Sequence, residues 1–269
     1  MPKRYAALLK RFGGSLKNPM QSTRLITLIT TTFNCLEHLD GYLNAMNALD
    51  PAAFDWIVVD AGSTDGTRQR LDQMQSHFSF YASERDAGFY YGLNKAVAQV
   101  KTPYYMVFGA DDRPSPTLLE DVGAVSNGYA ALLLGAVRIM PSGIIKSPGP
   151  RWIHPVVWGR AVSHHSVGTV IRTSLHGEYG FYDTDYRLVA DGAFLKKVLA
   201  SDEPVIRTDR IFGDFMTGGM SSQLTLRSIL ESFMLQVRSG SNFPLQLFLM
   251  TLRLTKGWLS GSFRPVQKK

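Results

Sequence analysis

One pattern recurs along the first half of the chain and limits what it can fold into: a short β-branched run, a polar or glycine-rich break, then apolar positions at helical spacing. Arg24-Leu-Ile-Thr-Leu-Ile-Thr-Thr-Thr-Phe33 is the first run; it breaks at Asn34, and residues 36 to 49 follow with helical periodicity. Phe54-Asp-Trp-Ile-Val-Val-Asp60 is the second, ending in Ala61-Gly-Ser-Thr-Asp-Gly66 before a polar helix from Thr67 to about Ser76. Phe78 to Ser83 predicts a third strand, Gly92 to Val100 a helix, and Tyr104 to Phe108 a fourth strand that runs into Gly109-Ala-Asp-Asp112. Strands alternating with helices over short loops predict an α/β fold with a mostly parallel sheet flanked by helices. Ligands of such sheets gather at the carboxyl ends of the strands.

From Ala130 the character changes. Leu132 to Met140 predicts a strand, Pro141-Ser-Gly143 a turn, and Lys146 to Pro155 an irregular proline-rich segment. A helix is expected from Asp191 to Leu199, a late strand from Val205 to Phe212, a break at Gly218-Gly219 and a helix from Leu224 to about Arg238. A chain of 269 residues with 45% hydrophobic content can bury one large core. The expected organisation is a basic amphipathic segment over residues 1–22, a central domain over 23–222 that divides near residue 125, and a helical basic extension over 223–269.

A formal charge of +7 favours polyanionic neighbours, and the placement of the cations narrows the choice. Lys3, Arg4, Lys10, Arg11 and Lys17 crowd the N-terminal segment among apolar residues, and Arg227, Arg238, Arg253, Lys256, Arg264, Lys268 and Lys269 load the C-terminal part. Such segments can lie in a membrane interface against acidic headgroups, or form ordinary packing helices with a solvated face. The central motifs carry acids instead, so a nucleic-acid groove over the core is disfavoured. No run reaches the roughly 20 apolar residues that cross a bilayer, and no signal-peptide pattern opens the chain. Cys35 is the single cysteine, which excludes an intrachain disulfide framework and points to a reducing compartment. The expected location is cytoplasmic, peripheral on the inner face of the plasma membrane.

Two acidic features can do chemistry. Asp60 ends a strand, where a carboxylate can accept hydrogen bonds from a base or ribose, while Ser63 or Asp65 caps the following helix. Capping alone would also explain Asp60. Asp111 and Asp112 are adjacent carboxylates at a sheet edge; they repel one another unless a divalent cation or several donors compensate. A metal held there can bridge the phosphates of a nucleotide diphosphate. A solvated turn is the plainer alternative.

The combination is more specific than its parts. Leu28-Ile-Thr-Thr-Thr-Phe-Asn34, Trp56-Ile-Val-Val-Asp-Ala-Gly-Ser-Thr-Asp-Gly-Thr67, Ser83-Glu-Arg-Asp-Ala-Gly-Phe-Tyr90, Gly92-Leu-Asn-Lys-Ala96 and Val107-Phe-Gly-Ala-Asp-Asp112 resemble family 2 glycosyltransferases in order and spacing. The resemblance covers about residues 24 to 125 and continues more weakly to about 222. It implies a GT-A fold, with a nucleotide-binding half over 23–125 and an acceptor-binding half over 126–222, and inversion of the anomeric centre. It further implies that Thr31 and Phe33 lie beside the nucleotide base, that Asp60 recognises it, and that Asp86 and Lys95, with Asn94 beside them, line the donor pocket. Asp111 is implied near the ribose or metal, and Asp112 as principal ligand of Mg²⁺ or Mn²⁺. The chain departs from the family at Gly109, which stands where the first acid of an Asp-x-Asp motif often sits, so that Asp111 and Asp112 must hold the metal unaided.

An inverting transfer needs a base that deprotonates the acceptor hydroxyl. Tyr179-Gly-Phe-Tyr-Asp183 followed by Tyr186-Arg-Leu-Val-Ala-Asp-Gly-Ala-Phe-Leu195 looks like the family stretch that supplies it, which assigns the base to Asp191, with Ala190 where an acid usually precedes. Alone, Asp191 would read as a helix N-cap. His164 and His165 fall where relatives often carry a His-Gln pair facing the acceptor; they are read as an acceptor or phosphate contact, or equally as packed histidines. They cannot share a metal, because successive strand side chains point oppositely. Phe215-Met-Thr-Gly-Gly-Met-Ser-Ser222 resembles a loop that approaches the donor, and suits a plain turn equally well.

The implied activity is transfer of one sugar from a nucleotide-diphosphate sugar, UDP-linked first and GDP-linked next, to a lipid-pyrophosphate-linked or glycan acceptor, as in building O-antigen, other lipopolysaccharide or capsule. The absence of a Gln-x-x-Arg-Trp motif argues against a processive synthase. A sugar nucleotidyltransferase would need a glycine-rich loop with Arg and Lys, which Thr30-Thr-Thr-Phe-Asn34 is not. A non-catalytic protein binding membrane or nucleic acid through its charge is the remaining alternative.

Overall fold

The computed structural model describes residues 23–126, 128–149, 166–217 and 226–259. The first half alternates as expected: β1 (Ile26–Thr32), α1 (Leu36–Asn47), β2 (Phe54–Asp60), α2 (Thr67–Asp72), β3 (Phe80–Ser83), α3 (Phe89–Ala98) and β4 (Tyr104–Gly109). The second half holds β5 (Arg113–Pro114), α4 (Leu118–Val125), β6 (Leu132–Met140), β7 (Ile144–Lys146), β8 (Thr169–Arg172), α5 (Leu175–Tyr179), α6 (Ala190–Leu199), β9 (Val205–Met216), α7 (Leu226–Arg238) and α8 (Phe243–Leu259). Three of the motifs above fall beyond these limits: residues 1–22, His164 and His165, and the Gly218-Gly219 loop lie outside the described residues.

The strands form one sheet in the order β3-β2-β1-β4-β8-β6-β9-β5, with β7 paired to β6. β3, β2, β1 and β4 are mutually parallel. β8 then runs antiparallel to β4 and to β6, while β9 runs parallel to β6. The two halves therefore share a single sheet, joined where Tyr104, Tyr105 and Met106 pair with Arg172, Ile171 and Val170.

Helices cover both faces, which is why the central strands read as continuous apolar runs rather than alternating ones. Trp56 and Val58 pack toward Leu39, Tyr42, Leu43 and Met46 of α1. Ile57 and Val59 point to the opposite face, against Leu93, Ala96 and Val97 of α3 and the α6 residues Ala193, Phe194 and Val198. Burying each large side chain of this kind stabilises the fold by about 1.5–3 kcal/mol.

Several boundaries differ from expectation. α3 starts at Phe89 rather than Gly92, because Gly88 turns the chain at φ 140° and the Asp86 carboxylate accepts its N–H at 2.9 Å. α2 ends early, at Asp72, and gives way to a 3₁₀ turn over Gln75–His77. β9 continues four residues past Phe212, to Met216, and its last part pairs with β5. Register shifts in β6 between Leu134 and Val137 accompany that bend. Gly213 permits the close pairing, since a Cβ there would stand 2.6 Å from the Arg113 carbonyl oxygen. The curl brings the end of β9 over the Asp111-Asp112 turn.

Candidate active site

The candidate donor residues meet at the carboxyl edge of the parallel strands. Register places Thr32, Asp60 and Ser83 in one row across β1, β2 and β3, with Thr31 beside Gly109 on β4. Two loops interlock above this edge. The Ser63 hydroxyl accepts the Asn34 N–H at 2.8 Å, the Asn34 side chain accepts the Thr64 N–H at 2.9 Å, and Thr67 Oγ1 accepts the Cys35 N–H at 3.0 Å. Asn34 takes φ 46°, a conformation asparagine tolerates. Asp65, rather than Ser63, supports the helix starts, accepting the N–H groups of Thr67 and Leu36. Phe33 projects from this scaffold 62% exposed, and Thr31 is half-buried beneath.

Asp60 was expected to offer its carboxylate to a base. It is only 3% exposed and already accepts from the hydroxyls of Thr32, Ser63 and Ser83 and from the N–H groups of Gly62 and Ser63. Burial alone would raise its pKa, but these donors hold it below the usual carboxylate range. Its first task is thus to organise the strand ends. A base N–H can reach it only by taking the place of a donor it already has, and the hydroxyls of Thr32, Ser63 and Ser83 are the candidates.

Asp86 lies close enough to Asp60 to feel its charge; burial first, and then Asp60, push its carboxyl up. Its second oxygen packs over Gly92, where a Cβ would come within 2.7 Å. Lys95 forms an ion pair with Glu84, and burial lowers its ammonium pKa. Asn94 faces away from the edge: its side chain donates to the Tyr182 carbonyl at 2.8 Å and accepts the Tyr182 N–H at 3.0 Å, tying α3 to the second half of the chain.

The Asp111-Asp112 turn gives its two carboxylates different surroundings. Asp112, assigned as principal metal ligand, is the inward residue, 4% exposed, accepting the N–H groups of Gly109 at 3.1 Å and Met216 at 3.3 Å. Asp111 is half-buried and holds the more accessible carboxylate. Burial, reinforced by the charge of Asp111, pushes Asp112 up to about 7. Gly109 acquires a physical reason as well. A Cβ there would stand 2.5 Å from Asp111 Oδ1 and 3.2 Å from Asp112 Oδ2, so the Asp111 carboxylate folds back over the position where the family's first acid often projects.

Among the described residues no group of three or more His, Cys, Asp or Glu is placed to hold a metal. Two convergent carboxylates nevertheless suit Mg²⁺ or Mn²⁺, hard cations that fill their remaining positions with water and substrate phosphate oxygens. A cation there would offset the burial and the Asp111 charge that raise the Asp112 carboxyl.

Asp191 sits in the first turn of α6, one residue inside; the N-cap position is Val189, so the capping alternative does not hold. Its surface is exposed, yet protein crowds it enough that burial pushes its carboxyl above the usual range. The Tyr90 hydroxyl donates to Asp191 Oδ1 at 2.7 Å, so α3 of the first half grips the carboxylate carried by the second. Behind Tyr90 lies a buried relay. His176, pushed down to about 4 by burial, is neutral and donates from Nδ1 to the Gly180 carbonyl at 3.0 Å. Its Nε2 must then accept from Tyr105 at 2.7 Å, and Tyr105 in turn accepts from Tyr182 at 2.6 Å. The Tyr182 ring packs 5.8 Å from that of Tyr90.

Residues 27–143 match the family described as Glycosyl transferase family 2. That span belongs to family 2. The chain is a glycosyltransferase with a GT-A fold. It is 25% identical over 210 residues to an uncharacterized glycosyltransferase of Mycobacterium tuberculosis, covering 76% of this chain and 79% of the relative. It is 24% identical over 229 residues to a PGL/p-HBAD biosynthesis glycosyltransferase of the same organism, covering 80% and 86%. Among solved structures, Staphylococcus aureus TarS in complex with UDP-GlcNAc superposes with a TM-score of 0.63 at 15% identity, covering 87% of this chain and 73% of that one. A Pyrobaculum calidifontis mannosyltransferase in complex with GDP-Man and Mn²⁺ gives 0.60 at 17% identity, covering 96% and 82%.

Several residues of the glycosyltransferase escaped the sequence reading. Tyr90 and Ser83 lie within the quoted motifs, but nothing in their spacing assigns one to Asp191 and the other to Asp60. Glu231 of α7 had no signal at all; its carboxylate accepts the backbone N–H groups of Arg187 and Leu188, bracing the turn that leads into Asp191.

Proposed function

We propose that the enzyme transfers a single sugar, with inversion, from a nucleotide-diphosphate sugar to a hydroxyl of a lipid-pyrophosphate-linked or glycan acceptor, working from the cytoplasmic face of the membrane. The observation that carries this reading is the pairing of a carboxylate edge at Asp60, Asp111 and Asp112 with a separate, crowded but open carboxylate at Asp191. The complexes of the two structural neighbours with UDP-GlcNAc and with GDP-Man support a nucleotide-sugar donor, and UDP is the first expectation.

In this reading the exposed Phe33 ring and Thr31 flank the base, and a base N–H replaces one of the serine hydroxyls on Asp60. Asp86 and Lys95 bound the donor pocket. Asp111 would hold Mg²⁺ or Mn²⁺, with Asp112, fixed by two backbone N–H groups, anchoring the turn and adding a second carboxylate; the bound cation would stabilise negative charge on the departing diphosphate. Asp191 takes the proton of the acceptor hydroxyl, and Tyr90 holds the carboxylate in place for it. Inversion follows from attack opposite the leaving diphosphate. His164 and His165 remain candidates for the acceptor side.

Calorimetric titration with UDP, GDP and CMP, with and without Mn²⁺, tests the donor part. Metal-enhanced binding of one nucleoside diphosphate is expected. Binding of none of them would sink the proposal.

A further inference from the structure

We infer that the outward face of α8 is a docking surface for an anionic lipid bilayer. α7 and α8 form a hairpin closed by an edge-to-face contact of Phe233 and Phe243, with ring centroids 5.8 Å apart. Of the fifteen large hydrophobic side chains that stand exposed among the described residues, nine belong to this hairpin. That concentration is too local to be the ordinary scatter of surface apolar groups. On α8, Phe248, Leu252 and Leu259 share one face, flanked by Leu247 and Trp258, whereas the buried positions Gln246 and Gly257 lie on the opposite side. The helix has turned its polar Gln246 inward and its apolar residues outward, the reverse of a helix made to face water.

Charge identifies the occupant. α8 has no acidic residue; the exposed Lys256 borders the apolar face, whereas Arg253 is half-buried toward the Gln246 side. In α7 the one acid, Glu231, is buried and committed to Arg227 and to the Arg187 and Leu188 N–H groups. An apolar helix face free of acids and bordered by a lysine matches the boundary between acyl chains and acidic headgroups. No helix among the described residues is long and apolar enough to cross a membrane, so the helix would lie in the interface.

The surface is also mechanically joined to the candidate base. Through Glu231, and through Lys196 of α6 donating to Gln236 of α7 at 2.8 Å, the hairpin is fastened to the segment that carries Asp191. Docking the hairpin would therefore hold the acceptor side of the enzyme against the bilayer. This deepens the lipid-acceptor reading and rests on it for its purpose, but not for its test.

The test is flotation of the full chain with vesicles of phosphatidylcholine alone and of phosphatidylcholine containing about one third phosphatidylglycerol. Partitioning onto the phosphatidylglycerol vesicles and weakening with salt are expected. The double substitution Phe248→Ser/Leu252→Ser should reduce partitioning at least about tenfold, and Lys256→Gln about fivefold, the equivalent of ~1 kcal/mol. An unchanged thermal unfolding transition in each variant verifies the fold. Equal partitioning of parent and Lys256→Gln, or no preference for the anionic vesicles, would overturn the inference. So would vesicle-independent dimerisation abolished by Phe248→Ser/Leu252→Ser, which would give the face to a second copy of the chain. Failure of the donor reading shows separately, in the nucleotide titration.

Discussion

Replacing Tyr90 by Phe isolates the hydrogen bond that joins the two halves of the site. The ring is 5% exposed and packs 5.0 Å from Phe89 and 5.8 Å from Tyr182, so removing one oxygen leaves the apolar contacts in place. What disappears is a 2.7 Å donation to Asp191 Oδ1. A hydrogen bond to a charged group contributes about 1.5–3 kcal/mol. Asp191 keeps an open face, so water replaces part of it and the low end applies, which is roughly a tenfold effect. The sign is fixed by which protonation state the bond favours. Burial raises the Asp191 pKa while the Tyr90 hydroxyl lowers it by stabilising the carboxylate. Without Tyr90 the proton is held more tightly, and the acidic limb of the rate profile moves to higher pH. Below that limb the variant should turn over about tenfold more slowly than the parent, and above it the two rates should converge. Nucleotide release measured across the acid-to-neutral range reads this directly. A uniform loss at every pH would mean that Tyr90 acts through packing alone, and a limb moved to lower pH would refute the reasoning outright.

The other expectations follow from the same geometry. Gly109→Ala should push the Asp111 carboxylate aside and weaken metal-dependent nucleotide binding about 10–100-fold while leaving the acidic limb unmoved; titration with Mn²⁺ measures it, and unchanged affinity would separate Asp111 from the metal. Asp60→Asn puts an amide against donors that now meet a carboxylate, costing about 1–3 kcal/mol and lowering the melting midpoint roughly 3–10 °C near neutral pH. Because the folded pKa of Asp60 is depressed, its contribution is present above the ordinary carboxylate range and is lost as the pH falls through the lowered value. The gap between parent and variant should accordingly narrow in acid, and a constant gap would contradict the assignment. Chelation by EDTA should suppress transfer and added Mn²⁺ restore it; full activity after chelation would remove the cation from the mechanism.

The first half was legible because its elements are local. β2 begins and ends at Phe54 and Asp60 as the apolar run predicts, and Leu132–Met140 likewise forms one strand. The parallel order also followed, since strand-helix alternation leaves few topologies. What the sequence could not carry was the meeting of distant segments. Nothing near Phe212 announces that β9 continues to pair with Arg113–Pro114, nor that the Met216 N–H ends on Asp112. That long-range closure turns Asp112 inward and leaves Asp111 forward. Short elements with little periodicity, such as β5 and α5, were missed for the same reason. The opposite orientation of α8 was undecided because its run Phe243-Pro-Leu-Gln-Leu-Phe-Leu-Met250 supplies apolar residues to every side.

The central claim is that donor binding and acceptor activation reside on different carboxylates, and Asp191→Asn separates them in one experiment. The variant should bind nucleoside diphosphate and Mn²⁺ as the parent does, while transfer to an acceptor falls by about 10²–10⁴-fold. Transfer at the parental rate with nucleotide binding intact would move the base elsewhere and contradict the account.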